Sequence, residues 1–188
     1  MTSFKVTFTL DEEDVAYFRS RYRAAKRETK SHDPGEVIVN ARRLVSDVHA
    51  NAKAPRFVVD AIDVLSDLTE IIQDENYRAP KRVRDAVLAG LAYFVNPDDL
   101  VPDQIPGLGF LDDAIMIKFV EEEFKNELWG YRKFRKLRDS TEQRPWSDVA
   151  QERLAKRLAS DRKKIRAAIE DRDAKDATRR KSGSYLGW

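Results

Sequence analysis

The chain has no cysteine and only two histidines among its 188 residues. The first absence excludes disulfides, thiolate nucleophiles and the cysteine-containing zinc sites, and it suits a reducing compartment, so a cytoplasmic location is expected. His32 and His49 lack the flanking residues of a zinc or nucleophile motif and read as surface side chains. Serines occur without a nucleophile elbow, and the seven glycines form no phosphate-cradling loop. Long apolar runs are also missing: the longest, Val87 to Val95, is about half of what a bilayer span needs. Met1 is followed by alternating polar and apolar residues, not by the basic and then continuously apolar segments of a secretory signal. A soluble protein without a membrane span is expected.

What is present is ample apolar material and a segregated charge. With 41% apolar residues the chain can bury one sizeable core. The net charge of +2 conceals an acidic centre between basic ends. Residues 19–30 carry six basic residues against Glu28 alone, and residues 87–123 carry eight acidic residues against Lys118. Residues 146–188 carry twelve basic residues against seven acidic ones.

Phe4, Val6, Phe8 and Leu10 alternate with Lys5, Thr7 and Thr9, which predicts a short β-strand over residues 3–9. Thr9 and Glu12 have capping-box spacing, and Val15, Phe18 and Tyr22 mark one face of a helix running to about Lys26. After the break at His32 to Gly35, Val37, Ala41, Leu44, Val45 and Val48 recur at helical spacing, so a second helix spans 35–51. A third follows Pro55, with Val58, Ile62, Leu65, Leu68 and Ile72 inward and Asp60, Asp63, Asp67 and Glu70 outward. The fourth runs from about Pro80 to Phe94 and must stop near Asn96, because a residue before proline disfavours the helical region. A long helix begins near Phe110, and a last one near Pro145 thins out among charges after Ile169. From Asp171 nearly every residue is charged or small, which predicts a flexible tail over 171–188 behind a single helical domain over 1–170. The fold class is mostly α: a compact bundle of about six helices with one N-terminal strand and one unusual inter-helix loop.

That loop, NPDDLVPDQIPGLGFLDD at residues 96–113, holds three of the seven prolines and five aspartates. It resembles the signature of the YkvA-like family, a domain of unknown function (1232), in which a helix ends at a proline, an acidic-proline loop follows and paired aspartates open the next helix. The resemblance covers residues 84–123 and implies no established activity. Many members of that family look membrane-associated, with strongly apolar helices on either side of the loop. This chain instead places Lys81, Arg82, Arg84 and Asp85 before it and Lys118, Glu121, Glu122 and Glu123 after it.

Two roles are open to the aspartates. In the architectural one, Asp98 or Asp99 takes turn hydrogen bonds after Pro97, while Asp112 and Asp113 occupy a helix first turn, where carboxylates complement free N–H groups and the dipole. In the chemical one, Asp98, Asp99, Asp103, Asp112 and Asp113 converge on a hard divalent cation such as Mg²⁺ or Ca²⁺, which prefers oxygen ligands. The spacing is not that of an EF-hand loop.

These observations favour a non-catalytic interaction or scaffold module over an enzyme, with a protein partner or a second copy of the chain supplying the mate for the lone strand. One alternative is a divalent-cation-binding protein or metal-dependent hydrolase built on the aspartates, with a bound water as nucleophile. Another is a DNA-binding protein, since strand, helix, helix is the order of a ribbon-helix-helix repressor, with Lys5, Thr7 and Thr9 facing bases. Asp33 and Glu36 oppose it, standing where a phosphate should bind. Separately, Lys163, Lys164, Arg166, Arg179, Arg180 and Lys181 could hold phosphates without sequence preference, among interleaved acids that weaken the pull.

Overall fold

A computed structural model describes residues 9–28, 33–95, 110–142 and 148–181. They form six α-helices: α1 (Glu12–Glu28), α2 (Pro34–Ala50), α3 (Arg56–Gln73), α4 (Lys81–Leu91), α5 (Leu111–Glu142) and α6 (Asp148–Lys181), with a 3₁₀ turn over Ala92–Val95. The helical bundle expected from the periodicity is therefore present. No strand occurs among the described residues; most of the one expected over 3–9 lies outside them, and Thr9 and Leu10 are irregular.

Local chemistry sets the helix ends. The capping box falls two residues later than Thr9 and Glu12 suggested. Asp11 Oδ1 accepts from the N–H groups of Glu13 (2.8 Å) and Asp14 (2.9 Å), and Asp14 Oδ2 accepts from the Asp11 N–H (3.1 Å). A carboxylate makes the stronger, charge-assisted bonds at a positive helix end. Asp33 caps α2 by accepting from the Glu36 N–H, with Pro34 at the first helical position. Asp74 closes α3, and its Oδ1 accepts from the N–H groups of Asn76 (2.8 Å) and Tyr77 (3.0 Å). The chain then turns through Arg78, at φ 51°, into α4. Ahead of Pro97 the last turn tightens to 3₁₀ over Ala92–Val95, where the proline rule placed the stop.

α3 is the centre, packed between α2 on one side and α5 on the other, while α6 lies along the far face of α5 and α1 rests on α4 and the 3₁₀ turn. Its apolar residues Val58, Ile62, Leu65, Leu68 and Ile71 are buried against Met116, Ile117, Val120, Leu128 and Phe134 of α5 within one continuous core. Tyr77, completely buried, plugs the corner between α3 and α4 and meets Tyr131 edge-on at 5.0 Å and Phe134 at 5.3 Å.

Two expectations need correction. Asp67 does not face outward: it is only 6% exposed, because α3 is covered on its acidic side by the arginines of α5. Nor does helical order end at Asp171, since α6 continues to Lys181. Here polar contacts replace the missing apolar stripe. Asn126 of α5 donates to Asp173 (2.8 Å) and Asp176 (3.1 Å) and accepts from Arg172 Nε (3.0 Å). The Arg172 guanidinium stacks on Trp129 at 4.5 Å, and Lys175 pairs with Asp171 one turn away.

The α5–α6 crossing is close at Gly130. A Cβ there would collide with Ile169 Cδ1 and stand 2.9 Å from Ile169 Cγ1 and 3.1 Å from Ile165 Cγ2. Gly130→Ala is therefore expected to push the two isoleucines off α5 and to cost about 1–3 kcal/mol by overpacking, measured as a shift of the urea midpoint.

Candidate functional site

The acidic-proline segment leaves the described residues after Val95 and re-enters at Phe110, so Asp98, Asp99 and Asp103 lie outside them. Its exit is well defined. Phe110 is buried and adopts φ 65°, a left-handed conformation costly for an aromatic residue, and its carbonyl accepts the Ala114 N–H at 3.0 Å to start α5. Asp112 and Asp113 fill the first turn of the helix. They are 3% and 7% exposed, and Asp112 Oδ1 is shut off from solvent. Charge burial of this kind is tolerated where N–H groups and the helix dipole compensate it, which is what a helix first turn offers. Among the described residues, no three histidine, cysteine, aspartate or glutamate side chains are grouped so as to hold a metal ion.

The other sequence candidates separate. His32 lies outside the described residues, and His49 is an exposed partner of Asp63 at 3.2 Å. Lys5 and Thr7 are likewise outside, Thr9 is irregular, and the start of α2 is already occupied by the Asp33 carboxylate. Of the basic residues near the C-terminus, Lys163, Lys164, Arg179, Arg180 and Lys181 are exposed, whereas Arg166 is turned inward.

Arg166 belongs to a polar array that sequence reading missed. Its guanidinium forks onto Glu127, Nη1 to Oε2 at 2.6 Å and Nη2 to Oε1 at 2.9 Å, and lies over the Tyr77 ring at 5.3 Å. The Tyr77 hydroxyl donates to the same Glu127 Oε1 at 2.6 Å. Burial, then the Glu127 charge and hydrogen bond, hold the Tyr77 phenol far above its ordinary range. Burial alone would lower the Arg166 pKa, but Glu127, with a further contribution from Tyr77, outweighs it and the value is raised. Farther along the α3–α5 interface, Asp67 pairs with Arg132 (2.6 Å) and Arg135 (3.0 Å). Glu70 pairs with Arg135 (3.0 Å) and Asp74 with Arg138 (2.6 Å), while the Tyr131 hydroxyl donates to both Glu70 and Asp74. A signal existed: acidic residues 67, 70 and 74 and basic residues 132, 135 and 138 both recur at one-turn spacing, as two facing charged rows must. Beside Asp74 a cavity of about 350 Å³ opens at the α3–α4 corner, lined in part by Gln73, Arg78 and Arg84. Arg78 Nε is already spent on the Glu75 carbonyl at 3.0 Å.

Comparison with known proteins bears on the loop and its flanking helices. Residues 84–119, from α4 into the first turns of α5, match the family described as "Protein of unknown function (DUF1232)". Over 47 residues the chain is 45% identical to the "Uncharacterized membrane protein YkvA" of Bacillus subtilis (strain 168), which covers 25% of this chain and 44% of that relative. The match thus spans less than half the length of the relative. No solved structure matches. No helix among the described residues is long and apolar enough to cross a membrane. The likeness to the YkvA-like proteins of unknown function is thus carried by the α4-to-α5 segment, which holds the proline stop and the buried aspartate pair.

Proposed function

We propose that this protein is a non-catalytic interaction module in which the acidic-proline segment serves as the connector between α4 and α5, and the outer helices present a surface to a partner protein or to a second copy. The observation that carries this reading is the burial of Asp112 and Asp113 in the first turn of α5. Side chains placed there serve the helix end and the packing of the connector, and they are poorly placed to meet a soluble substrate. The name of the Bacillus subtilis relative adds a membrane to the candidate partners. Since no described helix can cross one, such contact would be made at the bilayer surface.

A second reading keeps the aspartates as ligands. Two carboxylates buried side by side at the exit of a segment that also contains Asp98, Asp99 and Asp103 form a site to which Mg²⁺ or Ca²⁺ could bring compensating charge, with a metal-bound water available for hydrolysis. Thermal melts of chelator-stripped protein, with and without divalent cations, on the wild type and on the double substitution Asp112→Asn with Asp113→Asn, separate the two. The connector reading expects no cation effect and a double variant less stable by about 2 kcal/mol in every buffer. A cation at about 100 times its dissociation constant would instead stabilise the wild type alone by about 2.7 kcal/mol, and that result would replace the connector by a metal site.

A further inference from the structure

The first half of α6 divides its residues sharply between two faces. Leu158 and Ile165 are buried against α5, with Ile169 continuing the same stripe. Arg153, Lys156, Arg157, Lys163 and Lys164 are all exposed, and their spacing sets them on the opposite side of the helix. Between 153 and 164 the only acidic residue is Asp161, which approaches Arg157 at 4.0 Å on the flank of the stripe. The basic row extends over about 16 Å, at 1.5 Å per residue, and is backed by a helix that α5 holds in place. The last turn of α6 carries a second basic cluster, Arg179-Arg180-Lys181, and the sequence then continues Ser182-Gly183-Ser184-Tyr185-Leu186-Gly187-Trp188, which adds a tyrosine, a leucine and a tryptophan.

We propose that the outward face of α6, through Arg153, Lys156, Arg157, Lys163 and Lys164, docks on the anionic surface of a phospholipid bilayer. This deepens the interaction-module reading by naming the surface and its partner. A straight row of cations on a convex helix complements a flat sheet of anionic headgroups, each basic residue near such a surface contributing about 1 kcal/mol. A tyrosine and a tryptophan next to a basic cluster are the side chains that favour the headgroup boundary. The stripe carries no aromatic side chain for stacking on bases and only Ser160 as a neutral hydrogen-bonding group, so nucleic-acid recognition is the poorer match.

The test is co-sedimentation of the full chain with phosphatidylcholine vesicles, with and without phosphatidylserine. It is run on the wild type, on Lys163→Glu with Lys164→Glu, and on Arg56→Glu, which reverses a charge on the distant α3. Wild type and Arg56→Glu are expected to bind only the phosphatidylserine vesicles and to be released by salt. The Lys163/Lys164 variant, with an unchanged far-ultraviolet melt, should lose at least about 20-fold in partitioning. Equal binding to neutral vesicles, undiminished binding by the variant, or retention on random-sequence duplex DNA without vesicle binding would each overturn the proposal. None of these outcomes depends on cation binding at Asp112 and Asp113, so this inference and the connector reading can fail separately.

Discussion

Glu127→Ala should be among the most destabilising single substitutions in this protein, lowering the unfolding free energy by about 3–5 kcal/mol. Glu127 is 6% exposed and is bound at once by the Arg166 fork and the Tyr77 hydroxyl. Removing it strands a largely buried guanidinium against an aromatic ring and leaves a fully buried hydroxyl without its acceptor. Each of those groups was desolvated on folding, and the loss of the carboxylate withdraws the compensation while leaving the desolvation in place. The contrast lies in the double substitution Glu127→Leu with Arg166→Leu. With both charges replaced by apolar volume, the cost should fall to about 1 kcal/mol or vanish, because a buried ion pair is worth little against a packed apolar pair. A urea double-mutant cycle reads the difference. A single variant that lost under about 1 kcal/mol would mean that water reaches Arg166 freely and that the fork does not hold α6 to α5.

This array also shows what could be read in advance and what could not. Helical periodicity in Val37, Ala41 and Val48, or in Leu65 and Leu68, follows from burial of one face. It was visible because these stripes are covered by other apolar side chains of the one core. Asp67 escaped because its face of α3 is buried by cations of α5, and hydrophobicity carries no signal for a helix covered by arginine. Residues 171–181 escaped for a related reason: their order depends on Asn126, Trp129 and the aspartates of α6, pairings between segments about 50 residues apart that no local composition rule can see. Asp11 escaped for want of a chemical ranking, since two caps with similar spacing compete there and the carboxylate wins over the threonine hydroxyl. At the loop, the proline stop and the acidic helix start were both legible. Burial of Asp112 and Asp113 was not, because it depends on how α5 docks against the rest of the core.

Asp74→Asn is expected to make the protein less acid-sensitive while lowering its stability at neutral pH by about 2 kcal/mol. Burial alone would raise the Asp74 pKa. The N–H of Tyr77, the Arg138 guanidinium and the N–H of Asn76 outweigh it, so the folded value lies below the ordinary 3.8. A carboxyl depressed in this way stabilises the folded state fully above its unfolded value. That contribution is lost as pH falls from about 4 through the folded pKa, because the unfolded chain takes up the proton first. The amide of the variant would keep an acceptor for the backbone N–H groups, but it has no charge for Arg138 and no proton to gain in that range. Urea midpoints measured from neutral pH down to about pH 3 should therefore converge for wild type and variant as the acid limb is entered. Because Tyr131 donates to both Asp74 and Glu70, Tyr131→Phe should reduce the gap between Asp74→Asn and wild type. Parallel pH profiles for wild type and Asp74→Asn would refute the depressed carboxyl and move the origin of acid sensitivity to the exposed pairs.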